Sequence, residues 1–134
     1  MTYKIFTTGY TGKKVNDLKP LLEWLDAILI DIRFAPFSRQ QHWQKDFLQE
    51  ILRSRYYHVQ NLGNKAYKEG RIEILNLESG INTVLSSNSN VVLMCGCADL
   101  KSCHRFVLMN ELRKLGFDVE EIEVWKCSEP TLFD

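Results

Sequence analysis

The sequence predicts a three-layer α/β sandwich: a mainly parallel sheet of about five strands with helices on both faces, Rossmann-like in its βαβα order. Three observations carry this. Ala27 to Ile32 and Val91 to Met94 are nearly continuous apolar runs, the pattern of strands covered on both faces of a parallel sheet. The segments between strand-like runs include amphipathic stretches of helical length, as parallel crossovers require. Glu121 to Trp125 alternates acid with apolar, the mark of an edge strand with one wet face. At 134 residues the chain reads as one domain over 1–126 with a short tail at 127–134. A domain of this size buries roughly two thirds of its unfolded surface, so its core needs neither disulfides nor a structural metal.

Taken in order, Tyr3 to Gly9 is a β-branched and aromatic run that ends in a glycine turn. Asn16 is placed to cap a first helix, Pro20 falls in its opening turn, and Leu18, Leu21, Leu22 and Leu25 form its apolar face. In the second strand the two-residue period sets Leu29, Asp31 and Arg33 on one face and Ile28, Ile30 and Ile32 on the other. Trp43, Phe47, Leu48, Ile51 and Leu52 have helical spacing, with an end near Arg55. Tyr56 to Val59 reads as a short third strand, and Glu78 to Leu85 as a helix. The fourth strand, Val91 to Met94, leads through a polar turn into a helix over Cys103 to Leu115, with Gly116 as its C′ residue. The last strand is expected at Glu121 to Trp125.

Seventeen basic residues balance seventeen acidic ones, which argues against a domain whose affinity rests on neutralising a duplex backbone. No charged-then-apolar leader and no run of about 18 apolar residues is present, so a cytoplasmic protein without a membrane association is expected. In that compartment the four cysteines read as thiols or metal ligands and not as a disulfide framework.

Reactive residue types crowd the turn after the fourth strand, where Cys95, Cys97, Cys103, His104 and Arg105 fall within eleven positions. In an open parallel sheet, ligands bind at the carboxyl ends of the strands. Ser102 as N-cap, the free N–H groups of the opening turn and Arg105 would cradle an anion such as a phosphate. Cys103, at a helix start beside His104, has the setting of a lowered thiol pKa and of a nucleophile. The loop spacing of cysteine phosphatases, with an arginine six positions after the thiol, is absent. Zinc is an alternative for Cys95, Cys97, Cys103 and His104, but Cys-x-Cys followed by Cys-His is an uncommon pattern. Neighbouring Cys103 and His104 would also project about 100° apart on a helix. No other cofactor is expected. Asp31 and Arg33 close the end of the second strand, as an orienting or general-base carboxylate and a second anion clamp, or as a simple ion pair. Arg39, Lys45, Arg53, Arg55, Lys65, Lys68 and Arg71, interleaved with Trp43, Tyr56, Tyr57 and Tyr67, form a basic and aromatic middle third suited to nucleic acid or to an ordinary solvated face.

Four blocks in order resemble the domain of unknown function 488 family, from about Lys4 to Trp125. Thr8-Gly9-Tyr10 resembles its Thr-Ile-Gly-His opening, with Tyr10 for the histidine. Asp31-Ile32-Arg33 with Pro36, Ser38 and Arg39 resembles Asp-Val-Arg-x-x-Pro-x-Ser-Arg. Tyr56, His58 and Leu62-Gly63 resemble Tyr-x-His-x-x-x-Leu-Gly-Gly, with Asn64 for the second glycine. Cys95 and Cys103-His104-Arg105 resemble Cys-x-Glu followed by Cys-His-Arg, with Cys97 for the glutamate. The resemblance implies a compact α/β fold and a bacterial or archaeal intracellular origin, with no settled activity. The tail ending Leu132-Phe133 is similar to bacterial sliding-clamp ligands, which implies such a clamp as a partner.

The leading expectation is a small enzyme or sensor for a phosphorylated or nucleotide-like anion. Arg33, Ser38, Arg39, Ser102 and Arg105 would bind it, Asp31, Cys103 and His104 would supply the chemistry, and Gly9, Tyr10, Tyr56, His58, Cys95 and Cys97 would line the site. A nucleic-acid-associated module and a zinc-bound interaction domain are the alternatives.

Overall fold

The structure is a computed structural model that describes residues 3–125. Its elements are β1 (Ile5–Gly9), α1 (Leu18–Leu25), β2 (Ala27–Asp31), α2 (Lys45–Leu52), β3 (Tyr56–His58), α3 (Leu77–Leu85), β4 (Asn90–Cys95), α4 (His104–Lys114) and β5 (Val119–Glu121). The five strands form one sheet in the order β3-β2-β4-β1-β5, and every pairing is parallel. The α/β class read from the sequence is therefore the observed one. Among the described residues no helix is long and apolar enough to cross a membrane.

The strand period distributes the core as expected. On one face Ile30, Ile32, Val91, Leu93 and Cys95 pack against Ile81 and Val84 of α3 and Leu108, Met109 and Leu112 of α4. On the other, Phe6, Leu29, Val92 and Met94 pack against Leu18, Leu21 and Leu22 of α1 and Leu48 and Leu52 of α2. β4 and β2 are thus covered on both sides, which is why their sequences are apolar throughout.

Several local expectations shift. A 3₁₀ turn over Val15–Asp17 precedes α1, so Asp17 and not Asn16 stands at the cap, without a side-chain capping bond. α2 ends at Leu52, where Arg53 takes a positive φ of 51°, and one 3₁₀ turn completes the segment to Arg55. α3 begins at Leu77, one residue earlier than read, because the Asn76 side chain accepts a hydrogen bond from the Ser79 N–H. β5 lies at Val119–Glu121, N-terminal to the alternating stretch. Its register sets Val119, Glu120 and Glu121 beside Ile5, Phe6 and Thr7. Beyond Ile122 the chain turns to seat Trp125 edge-on against Trp43, with the indole N–H donating to Thr8 Oγ1 at 2.8 Å. β5 remains an edge strand.

Sheet order and helix placement also define a switch point. The chain leaves β1 towards α1 on one face, and leaves the adjacent β4 towards α4 on the other. Connections that diverge from neighbouring parallel strands open a crevice at their carboxyl ends.

Candidate functional site

The residues that the sequence groups into one site form two buried networks on opposite faces of the sheet. Asp31 lies on the α1/α2 face and is fully buried. Its carboxylate accepts from Arg33 Nε at 2.8 Å, Arg33 Nη2 at 2.6 Å and the Tyr56 hydroxyl at 2.6 Å, and more weakly from the Arg33 backbone N–H. The remaining Arg33 nitrogen donates to the Trp43 carbonyl at 2.7 Å and to the Tyr10 hydroxyl at 3.3 Å, while Tyr10 stacks on Trp43 with ring centroids 4.5 Å apart. His58 Nε2 lies 2.7 Å from the Arg33 carbonyl, so that nitrogen carries the proton. Burial opposes the Arg33 charge, but the Asp31 carboxylate outweighs it and raises the guanidinium pKa. Burial and the neighbouring Asp31 charge push the Tyr56 phenol upward, which keeps it a donor. This network joins β2, β3, the loop bearing Trp43 and the turn after β1. With every Arg33 side-chain nitrogen engaged, Arg33 is a strut and not an anion clamp, and Asp31 is its buried internal counter-ion.

The second network lies on the α3/α4 face. Arg105, 1 % exposed, makes a two-pronged pair with Glu121 of β5 through Nε at 3.1 Å and Nη2 at 2.9 Å. Its Nη1 donates to the Cys97 carbonyl at 2.9 Å and to Cys95 Sγ at 3.2 Å. Thr7 Oγ1 donates to the same Glu121 carboxylate at 2.7 Å. Gly9 permits this arrangement. A Cβ there would lie 2.0 Å from the Cys97 carbonyl oxygen and 3.1 Å from the guanidinium nitrogens.

Around Arg105 the sulfurs converge. Cys95 Sγ and Cys103 Sγ are 2.7 Å apart, and Cys103 Sγ is 3.7 Å from His104 Nδ1. The Cys97 thiol, two residues on from Cys95, is exposed and lies outside the group that Cys95, Cys103 and His104 form. The neighbouring Cys103 and Cys95 thiols, assisted by the Arg105 charge, lower the Cys97 pKa to about 3, whereas burial drives the Cys95 thiol upward. His104 Nε2 lies 2.7 Å from the Ile32 carbonyl, so its proton sits there and Nδ1 presents a lone pair to Cys103.

One expectation about this turn is corrected. Cys103, not Ser102, is the cap residue of α4, with extended backbone angles of φ −105° and ψ 147° and no side-chain capping bond. The Ser102 hydroxyl instead donates to Asp99, holding that carboxyl below its ordinary range with help from the Lys101 backbone N–H. Because Cys103 is extended and His104 helical, the 100° separation of consecutive helical side chains does not apply, and the two side chains meet.

A cleft of about 410 Å³ lies over the carboxyl ends of β1 and β4, at the switch point. Gly9, Thr11, Lys13, Ala98 to Lys101, Arg105 and Glu121 to Glu123 line it. Of the expected site residues only Gly9 and Arg105 reach it; Ser38 and Arg39 belong to the loop after β2 and do not. Lys13, Lys101 and Glu121 escaped the sequence reading. Lys13 closes a Gly9-x-x-Gly12-Lys13 turn that matches no phosphate-loop pattern, and Glu121 read as the wet face of an edge strand.

Three of the seven basic residues of the middle third have partners in place. Lys65 pairs with Glu73 at 3.2 Å, Arg71 with Glu69 at 2.8 Å and Glu73 at 2.7 Å, and an Arg55 nitrogen is held by the Ala27 carbonyl. Trp43 and Tyr56 are core residues, while Tyr57 and Tyr67 are exposed. The clamp-like tail lies outside the described residues.

Gly9, Asp31, His58 and Cys95 are the last residues of β1, β2, β3 and β4 in this parallel sheet. The model of the family described as domain of unknown function DUF488 matches residues 25–112. The chain belongs to the DUF488 family. That match spans Asp31, Arg33, Tyr56, His58 and the Cys95 to Arg105 turn, and leaves β1 with Gly9 and β5 with Glu121 outside. In this DUF488 protein the partner of Arg105 and one wall of the cleft thus come from beyond the matched segment. Comparison with curated proteins and with solved structures finds no match.

Proposed function

We propose that this DUF488 protein is a small enzyme or sensor that takes a phosphorylated or nucleotide-like anion into the cleft between β1 and β4. The observation that carries the reading is the position of that cleft, at the switch point where connections from adjacent parallel strands part to opposite faces. Lys13 and Lys101, on the two lips of the cleft, are the cations that meet the ligand, and the Thr11 hydroxyl, donating to the Gly96 carbonyl, ties the turn after β1 to the end of β4. Arg105 contributes differently from the way the sequence suggests. Each of its side-chain nitrogens is already held, by Glu121, Cys95 or the Cys97 carbonyl, so it positions the walls of the cleft and cancels the Glu121 charge that would repel an anion.

Thermal-shift titration of the full chain with inorganic phosphate, nucleotides and sugar phosphates tests this. A ligand that binds only the folded state stabilises it by RT ln(1 + [L]/Kd), so millimolar ligand reveals even modest affinity. The double variant Lys13→Ala, Lys101→Ala is expected to keep its stability within about 0.5 kcal/mol, as surface substitutions do, and to lose the ligand shift. A shift of the same size in wild type and double variant, or none in wild type, defeats the proposal. The indirect role of Arg105 makes Arg105→Ala a poor probe, since it disturbs the fold as well as the cleft.

A further inference from the structure

The cluster beneath the β4–α4 turn has features that an anion cleft does not explain. Three donor atoms of types that bind soft and borderline metals, Cys95 Sγ, Cys103 Sγ and His104 Nδ1, all lie within 4.8 Å of one another, and all three residues are buried. The imidazole is already set as a ligand: Nε2 donates to the Ile32 carbonyl at 2.7 Å, and the lone pair of Nδ1 points to the sulfurs. A ligating histidine is characteristically oriented in this way, by a carbonyl on its other nitrogen. Arg105 Nη1, 3.2 Å from Cys95 Sγ, supplies a charged donor to a sulfur that would carry negative charge. Cys97, the exposed thiol two residues on from Cys95, lies outside this group of three and would supply a fourth donor by turning inward from the solvent side.

We infer that Cys95, Cys103, His104 and Cys97 form a binding site for one borderline-soft divalent cation, zinc, which pins the turn between β4 and α4. A tetrahedral zinc with bonds of about 2.3 Å to sulfur and about 2.0 Å to nitrogen sets its sulfur and nitrogen ligands roughly 3.6 Å apart and its sulfurs roughly 3.8 Å apart. The Cys103 to His104 separation of 3.7 Å already has that value. The Cys95 to Cys103 separation of 2.7 Å must open by about 1 Å, a small rotation for thiol side chains at the end of a strand and at a helix cap. Two buried thiolates neutralise the ion, and the Arg105 guanidinium, 3.2 Å from Cys95 Sγ, offsets the charge of a third. Oxygen-preferring ions such as magnesium and calcium find no carboxylate among these four donors. The site lies on the inner side of Arg105, which also borders the proposed anion cleft, and none of its four donors lines that cleft.

The test is metal analysis of the full chain, purified with its thiols reduced and without chelator, followed by replacement with cobalt(II) as a spectroscopic probe. About one zinc per chain is expected, and the cobalt form should show sulfur-to-cobalt charge-transfer absorption with the intense d–d bands of a tetrahedral ion. His104→Gln should weaken zinc more than about tenfold and shift the cobalt d–d bands, as loss of one ligand does. Cys97→Ser should retain cobalt with reduced charge-transfer intensity. Folding of each variant is followed by circular dichroism. Should Cys103→Ser fail to fold, the wild-type cobalt spectrum alone decides, because its charge-transfer intensity counts thiolates. The inference is overturned if reduced wild type binds neither zinc nor cobalt, or binds cobalt without charge-transfer bands. It is also overturned if His104→Gln leaves the spectrum unchanged, or if mass spectrometry finds a Cys95–Cys103 disulfide that zinc does not prevent.

Discussion

Two guanidinium–carboxylate pairs, Arg33–Asp31 and Arg105–Glu121, stand on opposite faces of one sheet, and they do different work. Both arginines are buried and both pairs are two-pronged. The Asp31 side chain has no exposure, and its neighbours are a tyrosine hydroxyl and aromatic rings; the Glu121 side chain keeps 13 % exposure and borders the cleft. The first pair is sealed, so its geometry serves to tie β2, β3 and the Trp43 segment together. The second borders the cleft on one side and the Cys95 thiol on the other, so it joins the cleft wall to the sulfur cluster. An arginine in a family motif therefore carries little meaning until its carboxylate and that carboxylate's access to water are known.

The comparison makes graded predictions, from the largest effect to the smallest. Arg33→Met should cost about 3–5 kcal/mol in urea unfolding, because it leaves the Asp31 charge buried without its partner. Arg105→Met should cost about 2–3 kcal/mol, since Glu121 can turn to water. Equal losses would remove the distinction between a sealed and an open pair. Hydroxyl deletions repeat the contrast at finer scale. Tyr56→Phe takes away a buried donor to a carboxylate and should cost about 1.5–3 kcal/mol, against about 0.5–1.5 kcal/mol for Thr7→Val at the partly wet Glu121. A reversed order in the same unfolding assay would show that exposure of the carboxylate does not set the cost. The lysine pair at the cleft completes the scale, with a stability change near zero and an effect confined to ligand binding.

Much of this was legible in advance. The apolar runs at Ala27 to Ile32 and Val91 to Met94 announced central parallel strands, and their two-residue period placed Asp31 and Cys95 on definite faces. That period already separates the two networks, once it is known that Leu29 and Cys95 face opposite cores. What it does not supply is the relation between faces of different strands, which depends on strand order, and β4 lies between β2 and β1 in space though not in sequence. The partner of Arg105 was hidden for a similar reason. Glu121 alternates with apolar neighbours like any solvated acid, and only the pairing of β5 with β1 brings it beneath α4.

The sequence alone determined the layers, the crossover architecture and the edge on which reactive residues gather, because these follow from local periodicities of two and 3.6 residues and from the right-handedness of crossovers. The tertiary structure decided which of those residues meet. A single extended residue at the α4 cap turned Cys103 towards His104, and the Ile32 carbonyl, 72 positions away, fixed the proton on the far side of that imidazole. Convergence of donor atoms is a property of distances between elements, and a one-dimensional spacing rule built on a continuous helix does not contain them.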